Sequence, residues 1–315
     1  MGTQPNSTLL RPPVLILIGI PGMEDFHGWF ALPLCVMYCV TVIGNCTILF
    51  IIKMEASLHQ PMYFFLAMLA FNDLILSSAA SPKMLGIFWF NSREIDFDNC
   101  LIQMFFIHTF SISESAILLA MSFDRYVAIC SPLRYASILT NDIIAKIGLA
   151  AALRAIVLVI PCPVLITWLS YCKCVIPHTY CEHMSVLKLA CGDTTINRMY
   201  GMSVVVLVIG FDLIFIVLSY VMILRTVFSL SSKNARLKAL GTCAAHTATI
   251  LFTYVPALFS FLTHRIGRNV PPHVHIILAN LYLLIPPLVN PVVYSVKTKQ
   301  IRERLRRFLC HAKKI

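Results

Sequence analysis

Seven long apolar stretches, parted by short polar ones, constrain this chain more than any other feature. They run at about 28–53, 61–88, 97–131, 142–168, 197–228, 236–264 and 272–295. A helix needs roughly 20 apolar residues to cross the hydrocarbon of a bilayer, and each stretch supplies them. Only 12% of the residues are charged and 58% are hydrophobic, whereas a soluble domain carries about 25% charged residues. In 315 residues, seven spans and their links leave no room for a large soluble domain. The pattern predicts an all-α membrane protein: a seven-transmembrane-helix bundle with a short amphipathic helix after the seventh span.

Charge sets the orientation. The formal net charge is +11, which in a soluble protein would suggest a nucleic-acid partner. Here the excess sits in the tail (Lys297, Lys299, Arg302, Arg304, Arg306, Arg307, Lys313, Lys314) and at Lys53, Arg125, Arg134, Lys146, Arg225, Lys233, Arg236 and Lys238. These are the predicted inner ends, as the positive-inside rule requires. The partner of the tail is anionic membrane lipid, not nucleic acid. Asn6-Ser7-Thr8 is a glycosylation sequon, which fits an extracellular N-terminus, and the short polar start lacks the basic-then-apolar pattern expected of a signal peptide. The expected layout is an extracellular N-terminus at 1–27, a seven-span domain at 28–295, and a cytoplasmic amphipathic helix and tail at 296–315, in the plasma membrane. In that tail Ile301, Leu305, Phe308 and Leu309 share one helical face. Cys310 is a palmitoylation candidate, with a plain free cysteine as the alternative.

Inside the spans lie groups that lipid penalises: Asp73, Glu114, Arg154, Asp212, Asn45 and Asn290. Asp73 and Glu114 are expensive unless paired, protonated or bound to a cation. Asp212 has no evident partner, and Arg154 is open between snorkelling, an acid partner and a span boundary. Pro161, Pro163, Pro256, Pro286, Pro287 and Pro291 bend the helices that hold them. Of the 12 cysteines, Cys100, Cys172, Cys174, Cys181 and Cys191 fall in loops or at span ends, where an oxidising exterior favours disulfides.

Several blocks resemble the rhodopsin-like G-protein-coupled receptors, and the odorant receptors among them. Met121-Ser122-Phe123-Asp124-Arg125-Tyr126-Val127-Ala128-Ile129-Cys130 ends span three, and Leu58-His59-Gln60-Pro61-Met62-Tyr63 opens span two. Ser219-Tyr220, Lys238-Ala239 with Thr242-Cys243 and His246, and Pro287-Leu288-Val289-Asn290-Pro291-Val292-Val293-Tyr294 continue the match. The usual span-five proline is replaced by Asp212. Pro177-His178-Thr179-Tyr180-Cys181-Glu182-His183-Met184 and Pro21-Gly22-Met23-Glu24 look like class I, the fish-like receptors.

The resemblance implies an odorant receptor for a small carboxylic acid, coupled to a heterotrimeric stimulatory G protein. It implies a switch of Asp124, Arg125, Tyr126, Tyr220, Lys238, His246, Asn290 and Tyr294, with Asn290 bridging the backbone gap at Pro291. It implies a possible sodium ion at Asp73 and Glu114, against a structural network sharing a proton. By analogy Cys100 pairs with Cys181, and Cys191 with Cys172 or Cys174. No metal site is expected: His178, Cys181 and His183 have metal-ligand chemistry, but the disulfide would remove the thiolate. For the ligand, Arg265 is the expected carboxylate anchor, with His108 beside it. Ile112, Val204, Leu207, Leu258 and Phe261 are the apolar walls, with Tyr254 below. No nucleophile–base pair or His-Glu-x-x-His appears, so no enzyme is expected. A secondary transporter for a small organic anion is the alternative, opposed by the absence of repeated halves.

Overall fold

The computed structural model describes residues 11–266, 271–297 and 301–304, without the side chains of Thr242, 260–266 and Lys297. Its long helices follow the seven apolar stretches: α1 (His27–Met54), α2 (Pro61–Phe90), α3 (Phe97–Cys130), α5 (Asn141–Val159) continuing as α6 (Pro161–Thr167), α8 (Thr195–Ser229), α9 (Lys233–Ile266) and α10 (Pro272–Lys297). Six spans meet the length and apolarity needed to cross a bilayer; the seventh, α9, does so when its parts Lys233–Gly241 and Cys243–Phe259, inclined at 41°, count as one. Short helices α4 (Tyr135–Ile138) and α7 (His183–Leu187) lie in loops.

Local chemistry sets the ends. Pro61 occupies the first turn of α2, where its missing N–H costs nothing, and Asn91 closes that helix in the left-handed region at φ 53°. The Thr140 hydroxyl accepts from the Ile143 N–H at the start of α5. Pro161 breaks the fourth span into α5 and α6. Two apolar clusters fill the bundle. An outer one holds Met84, Phe97, Met104 and Tyr171; an inner one holds Phe65, Leu69, Leu118 and Met121. Trp29, Ile43, Val157, Val206 and Phe228 point outward at 57–80% exposure, an apolar belt that only lipid covers well.

The sequence signalled little of the outer cap. Strand β1 (Val14–Leu17) lies between β2 (Glu94–Asp96), antiparallel, and β3 (Val175–Ile176), parallel. Alternation buries Leu15 and Leu17 completely while Val14 faces out. The chain before the first span is thus tied to the loop before α3 and to the loop after α6. Cys100 is bonded to Cys181, and Cys172 to Cys191. Cys172 N–H bonds Leu189 O and Cys191 N–H bonds Ser170 O, which brings those two Cα atoms to 5.4 Å. Cys174 is instead drawn to β1, where its carbonyl accepts from Ile16 N–H, and its thiol is free.

The expected role of Asn290 is corrected. Pro291 has no N–H for the Pro287 carbonyl one turn earlier. Asn45 of α1 fills that gap: its Nδ2 donates to Pro287 O at 3.0 Å and to Thr41 O at 2.9 Å. Gly44 permits the approach, since a Cβ there would stand 2.9 Å from Pro291 Cβ. Asn290 is drawn to Asp73 instead, donating to Oδ2 at 3.0 Å, because a carboxylate is the stronger acceptor. Asn45→Val should leave a buried carbonyl unpaired and cost about 1–3 kcal/mol, read as a lower thermal midpoint of the purified protein.

Candidate functional site

A cavity of about 660 Å³ opens between α3, α5, α6, α7, α8, α9 and α10, within the size range of small-molecule sites. Of the expected ligand residues, His108, Ile112, Val204 and Tyr254 line it. Leu207 does not. It is 56% exposed, because helical phase turns it about 160° away from Val205 and Ile209, which line the cavity. Leu258 is also off the wall, and Ala257 takes its place. Arg265 and Phe261 fall outside the described side chains.

The outer end of the cavity is polar. His108 of α3 and His183 of α7 face each other edge to face, with ring centroids 6.5 Å apart. Each has a buried Nε2 with no hydrogen-bond partner among the described residues. Gly201 of α8 admits the His183 ring; a Cβ there would meet it at 2.9 Å. Arg198 stands at the exposed rim. Burial works to raise the Glu182 carboxyl, but the His178 imidazole and a backbone N–H at Met184 outweigh it and hold it below the usual range. Its Oε2 accepts from Ser185 N–H at 2.6 Å, capping α7. Burial pushes the His183 imidazole below its ordinary 6.5, with Glu182 opposing.

At the inner end lies a network that sequence reading left in pieces. Arg154 Nη1 and Nη2 donate to Asp212 Oδ1 and Oδ2 at 2.7 and 2.6 Å. Ser115 Oγ donates to Asp212 Oδ2 at 2.5 Å and lies 2.6 Å from the Tyr254 hydroxyl. A serine has one proton, and an ionised carboxylate can only accept it. Tyr254 therefore donates to Ser115, and Ser115 to Asp212. Asp212 is fully buried while Arg154 keeps some exposure. Arg154 is thus neither free nor misassigned: it is the counter-ion of the aspartate that replaces proline.

Deeper still, Asp73 accepts from Asn290, and Glu114 Oε1 accepts from Thr253 Oγ1 at 3.1 Å. Asp73 Oδ1, Asn290 Oδ1 and Asn45 Oδ1 are buried without hydrogen-bond partners among the described residues. At the inner face Asp124 binds Arg125 and accepts from the Tyr135 hydroxyl at 2.7 Å. Tyr135 was missed because it lies beyond the motif. Tyr220 OH and His246 Nδ1 are 2.9 Å apart, the Tyr294 hydroxyl donates to Met121 Sδ, and Tyr126 packs on Ile223, Val227 and Cys243. Lys238 is exposed at the inner end of α9. Arg304 pairs with Glu55 at 3.1 Å, and Ile301 is buried, which docks the turn after α10.

Two outcomes follow from the charges. Asp212→Ala leaves Arg154 without its counter-ion and should destabilise by about 3–5 kcal/mol; Arg154→Met with Asp212→Leu should recover most of it, measured by surface yield and thermal midpoint. His183 binds its proton less readily in the folded state, so folding loses stability as pH falls below 6.5. The thermal midpoint should drop between pH 7 and 5, and His183→Gln should shallow that drop.

Comparison with known proteins agrees with this layout. The family model described as Olfactory receptor matches residues 34–312. Human olfactory receptor 52K1 is 56% identical over 299 residues, 95% of each chain. Human olfactory receptor 52P1 is 57% identical over 304 residues, covering 96% of this chain and 95% of its own. Human olfactory receptor 52N4 is 54% identical over 310 residues, 98% and 97% of the two chains. These relatives are receptors, neither enzymes nor transporters, so the transporter alternative is set aside. A seven-helix bundle with an outer cavity, an Asp-Arg-Tyr inner face and homology along almost its whole length, the chain belongs to the olfactory receptor family, multi-pass plasma-membrane G-protein-coupled receptors of the rhodopsin-like class.

Proposed function

We propose that the odorant is a small carboxylic acid and that the receptor acts through a stimulatory, olfactory-type G protein to raise cyclic AMP. The carrying observation is the outer end of the cavity, where His108 and His183 offer buried nitrogens without a partner among the described residues and Arg198 stands at the rim. Aliphatic walls at Ile112, Val204 and Val208 lie below. Arg265, eleven residues and about three helical turns beyond Tyr254, is the cation that holds the carboxylate, since a guanidinium binds it bidentately. His108 helps to orient it.

Ligand binding draws the outer half of α9 inward. Tyr254, hydrogen-bonded to Ser115, and the Pro256 bend carry that motion to the inner end. The Asp124–Arg125 restraint then loosens and a groove opens for the G protein. Only a ligand that binds the open state more tightly can drive this. Asp73, Glu114 and Asn290 fit a sodium ion, a hard cation that takes oxygen ligands; the orphan oxygens of Asp73, Asn290 and Asn45 are what such an ion would use.

Cyclic-AMP accumulation with straight-chain acids of graded length tests the ligand. A response peaking at one length, lost in Arg265→Ala at matched surface expression, is expected. A response that survives the substitution discards the anchor. Arg125→Ala should abolish signalling while ligand binding persists. Sodium, against potassium at equal ionic strength, should raise the thermal midpoint of the wild type by mass action but not that of Asp73→Asn.

A further inference from the structure

We infer that the ligand carries a hydroxyl at its far end, so that it is an ω-hydroxy carboxylic acid rather than a plain fatty acid. The inference rests on the acid reading of the outer end and extends it to the inner end of the same cavity.

One cavity reaches from His108 to Ser115, seven residues apart on α3 and so about 10 Å along its axis. The middle of its wall is aliphatic, but the inner end is not. Ser111 and Ser115 of α3, Thr253 and Tyr254 of α9 and Tyr282 of α10 all present hydroxyls there. An alkyl tail would end with its methyl group against these oxygens, displacing any water that served them.

The proton inventory says what they need. Tyr254 gives its proton to Ser115, and Ser115 gives its own to Asp212. Thr253 gives its proton to Glu114. Tyr254 and Thr253 therefore keep acceptor capacity at the cavity and have no proton left to give. The group that satisfies them is a donor. Ser111 and Tyr282 line the same cavity, and each hydroxyl has a proton to give as well as an oxygen that accepts. A ligand hydroxyl both donates and accepts; an ether or a methyl end does not donate.

The test compares cyclic-AMP potency at the wild-type receptor for three matched series: straight-chain acids, their ω-hydroxy forms and their ω-methoxy forms. Primary alcohols and α,ω-diols of the same lengths run beside them. The ω-hydroxy acid of best length should be about threefold to tenfold more potent than the plain acid, the gain of one hydrogen bond, and the methoxy acid should show no gain. Thr253→Val should bring the hydroxy-to-plain ratio toward one, and Thr253→Ser should keep it. Plain acids that match or exceed their hydroxy forms overturn the inference and leave the acid reading standing. Silent acids with diols more potent than alcohols overturn the acid reading and keep the inner hydroxyl. A surface-expressed receptor silent to every series overturns both.

Discussion

The pairing of Arg154 with Asp212 is the interaction on which the middle of the bundle depends. Either charge alone would be costly at that depth. Together they make two parallel hydrogen bonds of 2.6–2.7 Å, and Ser115 adds a third to the carboxylate. The bonds tie α5 to α8 and α8 to α3, and Tyr254 brings in α9. Four spans thus meet at one polar point, immediately beneath the ligand cavity. A buried pair of this kind is weak evidence for stability, but it fixes which faces meet. Ser115 and Tyr254 line the cavity and belong to the network at once, so the cavity floor is tied to all four helices.

A second constraint works along α10. Pro291 strips the Pro287 carbonyl of its partner, and Asn45 restores one from α1. Asn290 is thereby left to Asp73. The backbone defect and the intramembrane acid are served by separate amides, and each tie crosses between helices. On the outer side, the Cys100–Cys181 bond and the three-stranded sheet hold the loop that brings Glu182 and His183 into the cavity.

The spans were legible because apolarity of that length has one solution in a bilayer. The inner motif and the first disulfide were legible through resemblance to known blocks, and His108, Ile112, Val204 and Tyr254 stand on the cavity wall. Leu207 and Leu258 lie off that wall for a physical reason: apolar residues face lipid as readily as they face a cavity, so hydropathy gives no phase. The Arg154–Asp212 pair was within reach. Arg154 lies about 20 Å along α5 from its inner end, and Asp212 about 25 Å along α8, and opposite charges at like depth should be tried as partners first. Tyr135 and the outer sheet gave weaker signals, being a lone aromatic in a loop and a four-residue strand whose partners lie far along the chain.

A double-mutant cycle between Asp212→Asn and Tyr254→Phe, read as thermal stability of the purified receptor, tests whether pocket floor and ion pair act as one unit. If Ser115 relays between them, the two changes should be non-additive by about 0.5–3 kcal/mol. Additivity within about 0.5 kcal/mol would mean that Tyr254 and the ion pair are merely neighbours, and would contradict the account.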